Sequence, residues 1–506
     1  MRTRLCRGQL YSNGGAFLDL SGPVMDRALL HVDNVYRWPS FQAKGIVCKT
    51  HTPPNTAFRG FGGPQGMLVT EAIMEHLAAA CDVPADSLRS ANMYRDGDEV
   101  PFGQTLDAGE WRVPRAWSEL RAEAKVDARR EAIAEFNRAH RWRKRGIALV
   151  PTKYGINFTA KFMNQGGALV HLYTDGTVLI SHGGTEMGQG LHTKVCQVAA
   201  RAFGIPLSAC HVAESASDKV ANSMPTAASA STDLYAMATL DACRQILHRL
   251  APLKQAMPQA TLAEVAFKAN FERIDLSAHG FFAIANQRCG FDWGIAPGRK
   301  ADGTPDNTTR GFPFNYFTQG VGCVEVEIDV LTGDHSVSRA DLLVDLGSSI
   351  NPALDIGQIE GAFTQGMGWT TIEELVWGDD QHKWVRPAGR LHTAGPGTYK
   401  IPAFNDVPRE FNVRLMSGVD NKVAVHSAKA VGEPPFFLGA GVWLAIRNAV
   451  AAARADHGGA ARADFTFYSP ATTERIRMAC GDQFARDAMG DAAPKDGDAL
   501  PCLGSF

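Results

Sequence analysis

The sequence predicts an α+β protein, because strand-like and helix-like stretches come in separate groups instead of a strict alternation. Two observations carry this. Apolar residues recur with the period of strands, between glycine-containing turns, across 146–181 and 321–344. Stretches at 24–36, 65–81 and 111–145 instead carry the period or the charge pattern of helices. No short fixed repeat occurs, which excludes a solenoid.

Each element follows from its residues. Gly14 to Ser21 reads as a strand or turn from inside a domain. Met25, Ala28, Leu29 and Val32 stand at helical spacing and predict a helix over 24–36. A second helix, Gln65 to Cys81, stops near Pro84. The highly charged stretch from Trp111 to Arg145 predicts a solvated helical bridge between two lobes. Strands follow at Ile147–Val150 and Ala168–Tyr173, and Thr174-Asp-Gly-Thr177 turns the second into Val178–Ser181. Next come a helix at Leu191–Phe203, a strand at Cys210–Ala213 and a helix at Asp233–Leu250. Gly, Pro, Asp and Asn across 286–312 mark a long surface excursion. Val321–Val330 and Ser336–Val344 are strands joined by Leu331-Thr-Gly-Asp334, and Ile356–Gly366 and Gly441–Ala453 are helices. The chain thus divides into a first lobe over 1–95, a helical connection over 96–145, a second lobe over 146–480 and a mobile tail over 481–506.

Composition narrows the function. A net charge of −2 gives no electrostatic reason to expect nucleic acid or an anionic membrane as partner. No run of 18 apolar residues occurs, so a membrane span is not expected. The ten cysteines form no Cys-x-x-Cys pair, which signals neither a zinc ribbon nor an iron–sulfur cluster. Dispersed in this way they read as reduced thiols of a cytoplasmic protein.

Four loops carry chemistry. Gly183 to Gly190 lies between a strand and a helix, where backbone N–H groups and the helix N-terminus suit a phosphate or a pterin edge. It lacks the lysine of a P-loop and the spacing of a dinucleotide fingerprint, and the alternative is a tight connection packed by Met187 and Gln189. Asn222 to Thr232 offers hydroxyls at a helix start, a pattern equally suited to capping. Phe58-Arg-Gly-Phe-Gly-Gly-Pro-Gln65 places a cation and two rings among three glycines, either to stack a flat substrate or to lie as a lid on the core. Ala430-Val-Gly-Glu-Pro-Pro-Phe436 sets Glu433 among apolar neighbours, where a carboxylate suits a general base; a helix cap or surface turn is the alternative.

Taken in order, these four segments resemble the molybdopterin-binding segments of the molybdenum hydroxylase family that contains xanthine dehydrogenase/oxidase and aldehyde oxidase. The likeness runs from about Tyr11 to Cys480. It implies the molybdopterin-binding lobes of that fold, with the first lobe incomplete at its N-terminus. It also implies the roles. Glu433 matches the catalytic base. Phe61 and Phe158 match the two rings that hold a flat heterocycle, Thr159 matches a neighbouring substrate contact, and Arg27 matches the arginine that pairs with a purine oxygen. Arg59 and Ala228 match contacts around the metal, while Met187, Gly188, Gln189, Ser229 and Gln365 match contacts to the cofactor.

The resemblance further implies hydroxylation of hypoxanthine or xanthine with oxygen from water, on a molybdenum–molybdopterin cofactor. The 2Fe-2S clusters and FAD are expected on partner modules, with NAD as final acceptor, and a separate segment is expected to complete the molybdenum lobe. A higher oligomer is expected. Arg27 separates purine hydroxylases from aldehyde-oxidising relatives, which commonly lack it. The competing readings are an aldehyde or other N-heterocycle oxidase of the same family, and an inactive truncated remnant.

Overall fold

The computed structural model describes residues 2–106, 109–456 and 465–489. The first third holds β1 (Leu5–Gly15), α1 (Ser21–Leu29), β2 (Ser40–Lys49), α2 (Gly63–Ala80), α3 (Ala85–Asn92), α4 (Val113–Glu123), α5 (Val126–Ala139) and β3 (Arg143–Ile156). The middle holds β4 (Gln165–Leu172), β5 (Val178–His182), α6 (Leu191–Phe203), β6 (Cys210–Val212), α7 (Met237–Ala256), α8 (Leu262–Phe271) and β7 (Ser277–Ala283). The short β8 (Gly298–Arg299) and β9 (Pro305–Asp306) precede β10 (Tyr316–Asp329), β11 (His335–Asp345), α9 (Pro352–Thr371), β12 (Glu410–Leu415), α10 (Ala440–Asp456), α11 (Thr473–Cys480) and α12 (Gln483–Met489).

Two four-stranded sheets organise the chain, in the orders β12-β11-β10-β3 and β6-β5-β4-β7. The first is buried on both faces along β3 and β10, which the period of 2 makes visible. Val321 and Cys323 of β10 join a core with Trp117 and Leu120 of α4, whereas Val324, Val326 and Ile328 face a second core built on Phe363 of α9 and Leu444 of α10. The second sheet buries alternate residues of β4 against α6 and α7. The stretch Pro434–Asp456 is long and apolar enough to cross a membrane by length and composition, but 83% of its most apolar window is buried inside the fold. Its apolarity is that of a core helix.

Three expectations change. The helix predicted over 24–36 ends at Leu29, because Asp33 and Asn34 spend their side chains on Lys153 and Glu71 (2.6 and 2.8 Å) instead of facing solvent. The 111–145 stretch is not a solvated bridge: α4 buries Val113, Ala116, Trp117 and Leu120, and Arg129 of α5 is paired to Glu325 and Asp341 of the sheet. The tail expected from 481 begins as helix α12, where Asp482 accepts from the Ala485 N–H and pairs with Arg477; residues 490–506 lie outside the described residues.

One buried network ties α2 and α3 to α10. Arg89 of α3 bridges Glu71 and Glu75 of α2 at 2.7 and 2.8 Å, and Glu75 also accepts from Arg447 of α10 at 3.2 Å. Removing one member would leave an uncompensated buried charge. Helix α2, which follows the Phe58–Gln65 loop, is thereby held against α10.

Candidate functional site

A cavity of about 430 Å³ opens between the start of α6, the segment before α7, the start of α9 and the segment before Pro434. Its wall is made by the loop before α6 (Met187, Gly188, Gln189), the small-residue segment before α7 (Ala228, Ser229, Ser231, Thr232), Arg59, and the segment from Ala428 to Glu433. These stretches are remote in sequence, and three of the four predicted loops put side chains directly on this wall while the fourth does so through Arg59. Backbone strain gathers here as well. Ala228 and Ser229 on the wall both lie in the left-handed region (φ 55° each), as does Phe61 (φ 49°) two residues from the wall residue Arg59, a region that non-glycine residues seldom occupy.

Glu433 is the best-defined group on the wall. Its Oε1 accepts from the Gly60 N–H at 3.1 Å, and its Oε2 accepts from the Ser229 hydroxyl at 2.9 Å. The backbone on either side is fixed too: Ala430 donates to the Tyr316 hydroxyl (3.0 Å), and Gly432 accepts from Arg59 Nε (2.5 Å). Tyr316 in turn donates to Asp233 at 2.6 Å. Burial pushes the Asp233 carboxyl up to about 7, opposed by Tyr316 and Lys194.

The Gly183–Gly190 loop behaves differently from the expectation that its N–H groups face a ligand. Glu186 takes the N–H groups of Gly188 and Gly190 on Oε1 (2.9 Å each) and that of His192 on Oε2 (3.0 Å). Gln189 accepts from the Met187 N–H and donates to the Thr185 carbonyl. The positive end of α6 is therefore answered from within the loop. What the loop offers the cavity is its side chains and its outer backbone surface, with Met187 65% exposed.

Arg59 acts as a staple. Besides Gly432 it donates to the Gln358 carbonyl and side chain (3.3 and 3.0 Å) and to Gln365 (3.5 Å), joining the Phe58–Gln65 loop to α9. Gln365 meets the site through this arginine and does not line the cavity. Arg27, Phe61, Phe158 and Thr159 also stand off the cavity wall. Arg27 is 3% exposed; its guanidinium donates to the carbonyls of Asn157 (2.8 Å) and Gly155 and lies over the Tyr154 ring at 4.6 Å. It anchors the end of β3, from which Phe158 and Thr159 project. Tyr154 closes the circuit, since its hydroxyl donates to the Gly60 carbonyl at 3.0 Å, next to Phe61 and one residue from Arg59. The predicted residues thus form two groups, one around the cavity and one along β3, joined by Tyr154 and Gly60.

Lys194, Asp233 and Tyr154 carry no motif of their own in the sequence. Lys194, one of the cations on the wall, is paired with Asp355 at 2.5 Å. Asp233 sits in a π-type turn, Thr232–Ala236, a local widening of a helix often found at functional positions. Only the small, hydroxyl-rich composition of 222–232 hinted at this wall.

The fold and this cavity define the class of protein. The molybdopterin cofactor-binding domain family matches residues 3–93 and 119–408, more than half of the chain, and the chain belongs to that family. Over 478 residues it is 52% identical to xanthine dehydrogenase of Oryza sativa subsp. japonica, covering 94% of this chain and 33% of the rice protein. It is 49% identical to xanthine dehydrogenase/oxidase of Rattus norvegicus over 94% of this chain and 34% of that protein. The chain therefore spans about a third of the length of these relatives. Among solved structures, aldehyde oxidoreductase from Desulfovibrio desulfuricans superposes with a TM-score of 0.74 at 22% identity, covering 94% of this chain and 47% of the other. Quinoline 2-oxidoreductase from Pseudomonas putida gives 0.75 at 20% identity, over 94% of this chain and 60% of that one. The α+β fold is that of these molybdenum hydroxylases.

Proposed function

We propose that this chain is the cofactor-holding part of a xanthine dehydrogenase that hydroxylates hypoxanthine or xanthine, with Glu433 as its base. The observation that carries the reading is Glu433 itself, a carboxylate on the cavity wall held by two donors from other segments.

The residues present fit a molybdenum–pterin group. The cavity is of ligand size, and its wall holds the hydroxyls of Ser231 and Thr232 as donors for an anionic end, while Lys194 is taken up by Asp355. Met187, Gly188 and Gln189 would flank the pterin, and Ala228 and Arg59 would stand at the metal end. When bound, the group supplies the two-electron oxidation of a carbon–hydrogen bond. The chain's own part is to hold that group, exclude water with buried walls, orient a flat heterocycle with Phe61 and Phe158, and accept a proton at a Glu433 carboxylate oxygen. The 2Fe-2S clusters, FAD and a segment completing the lobe would come from the rest of the longer protein, and a higher oligomer is part of the same proposal. Free cysteines fit a cytoplasmic setting.

Replacing Glu433→Gln in the assembled enzyme tests this. Molybdenum content should stay normal while hydroxylation falls by about 10³-fold. Retained turnover would remove Glu433 from the chemistry, and a wild-type protein purified without molybdenum would favour the inactive remnant.

One observation favours a second substrate, an aldehyde or another N-heterocycle. The Arg27 guanidinium is spent on backbone carbonyls and does not reach the cavity wall. Steady-state kinetics of the assembled wild-type enzyme distinguish the two: a purine enzyme turns over xanthine with the higher kcat/KM, whereas an aldehyde enzyme prefers the aldehyde and leaves xanthine nearly untouched.

A further inference from the structure

We infer that Ser229 is the positioning residue for Glu433, the group that decides where the carboxylate points; this rests on the reading of Glu433 as the base. The hydrogen bonds are reciprocal. The Glu433 N–H donates to Ser229 Oγ at 2.9 Å, and the Ser229 hydroxyl donates to Glu433 Oε2 at 2.9 Å. A backbone N–H can only donate, so Ser229 Oγ must accept from it, and its own proton is then free to point at the carboxylate. One hydroxyl thereby fixes both ends of Glu433. With Gly60 N–H on Oε1, each carboxylate oxygen keeps a lone pair for an incoming proton while its rotamer stays locked.

Two independent features serve this contact. Ala228 and Ser229 both take a left-handed backbone, an unfavourable pair of conformations for L residues, and this geometry carries Oγ to Glu433. Residue 432 is glycine, and a Cβ there would stand 3.1 Å from Ser229 Oγ. A side chain at 432 would push against the hydroxyl. The strained turn and the bare position thus meet at one hydrogen-bond pair.

The variants are made in the assembled enzyme. Ser229→Ala should lower kcat about 10- to 100-fold, the cost of a misplaced catalytic group, with KM nearly unchanged and normal molybdenum per protomer. Ser229→Gly should lose kcat equally, although it relieves the left-handed strain; a residue needed only for the turn would be replaced by glycine without loss. Ser229→Cys, which keeps a weak donor in the same place, should recover part of the rate. Gly432→Ala should reproduce the kcat-selective loss with the hydroxyl intact, and it decides the matter if the Ser229 variants fail to fold. A crystal structure of Ser229→Ala should show the Glu433 carboxylate displaced. The inference is overturned if Ser229→Ala keeps kcat while Glu433→Gln is inactive, or if molybdenum is lost in step with kcat, which would make Ser229 a cofactor ligand only. Retained turnover in Glu433→Gln overturns instead the reading on which it rests.

Discussion

Glu186 and Glu433 both sit in glycine-flanked loops beside the same cavity, yet the fold uses them in opposite ways. Glu186 turns inward and accepts three backbone N–H groups of its own loop and helix. Glu433 accepts from two segments far away in sequence and stays on the cavity wall. The difference lies in which donors are within reach. Where a helix starts immediately after the loop, its unpaired N–H groups capture the nearest carboxylate. After Glu433 come Pro434 and Pro435, of which Pro435 has no N–H to offer and Pro434 none either, so the side chain must look elsewhere. A carboxylate that caps its own helix is structural, and one that its own helix cannot use is available for chemistry.

The sharpest way to break this comparison is to neutralise each glutamate in turn. Glu433→Gln should cost about 10³-fold in kcat at unchanged molybdenum content, whereas Glu186→Gln should stay within about tenfold of wild type in kcat. Equal losses would mean that both carboxylates act on the reacting atoms.

The same contrast explains what the sequence could tell. The helix at Leu191–Phe203 was legible to the residue, because apolar spacing and flanking glycines agree there. The glycine loop before it was legible as a loop, but not the direction of its N–H groups, since that depends on a glutamate only two to six residues away choosing a rotamer. Asp33 and Asn34 ended α1 early through partners 120 and 37 residues distant, which no local pattern contains. The solvated bridge failed for a related reason: charge on α4 and α5 hid an apolar stripe through Val113, Ala116, Trp117 and Leu120. At the site, the four segments were readable as motifs. The placement of Arg27 on backbone carbonyls and the role of Tyr154 were not, because both arise from long-range packing against β3.

A second effect sharpens the structural side of the comparison. His182 Nδ1 accepts from the Gly184 N–H and its Nε2 faces His192 Nδ1, each at 3.0 Å, so its proton lies on Nε2. Burial first, then His192, lowers its pKa to about 4, with Glu186 opposing. The unfolded chain, with an ordinary imidazole, binds this proton from about 6.5 downwards, so stability should fall as pH drops from 6.5 to 4, by on the order of 3 kcal/mol. His182→Asn keeps an acceptor for Gly184 and cannot titrate. Denaturant unfolding at pH 7 and pH 4.5 should show a smaller acid loss in the variant; an equal loss would mean that His182 does not anchor the loop through its neutral form.

The smallest effect belongs to Glu186 itself and separates its charge from its geometry. Burial raises its pKa, but the N–H groups of His192, Gly190 and Gly188, with His192 itself, outweigh this and leave it below its ordinary value. A depressed carboxylate stabilises the fold fully above its unfolded value near 4.5 and loses that contribution as pH falls through the lower folded value. Glu186→Gln keeps an acceptor oxygen but no charge, and should cost about 1–2 kcal/mol at pH 7, the usual worth of a helix cap. Because the Glu186 charge also acts on His182, the comparison is made with His182→Asn in both proteins, so that no His182 titration enters the difference. The two unfolding curves should therefore converge as pH drops below 4.5. If the gap stays constant in acid, the loop needs the shape of residue 186 and not its charge, and the contrast with Glu433 would rest on packing alone.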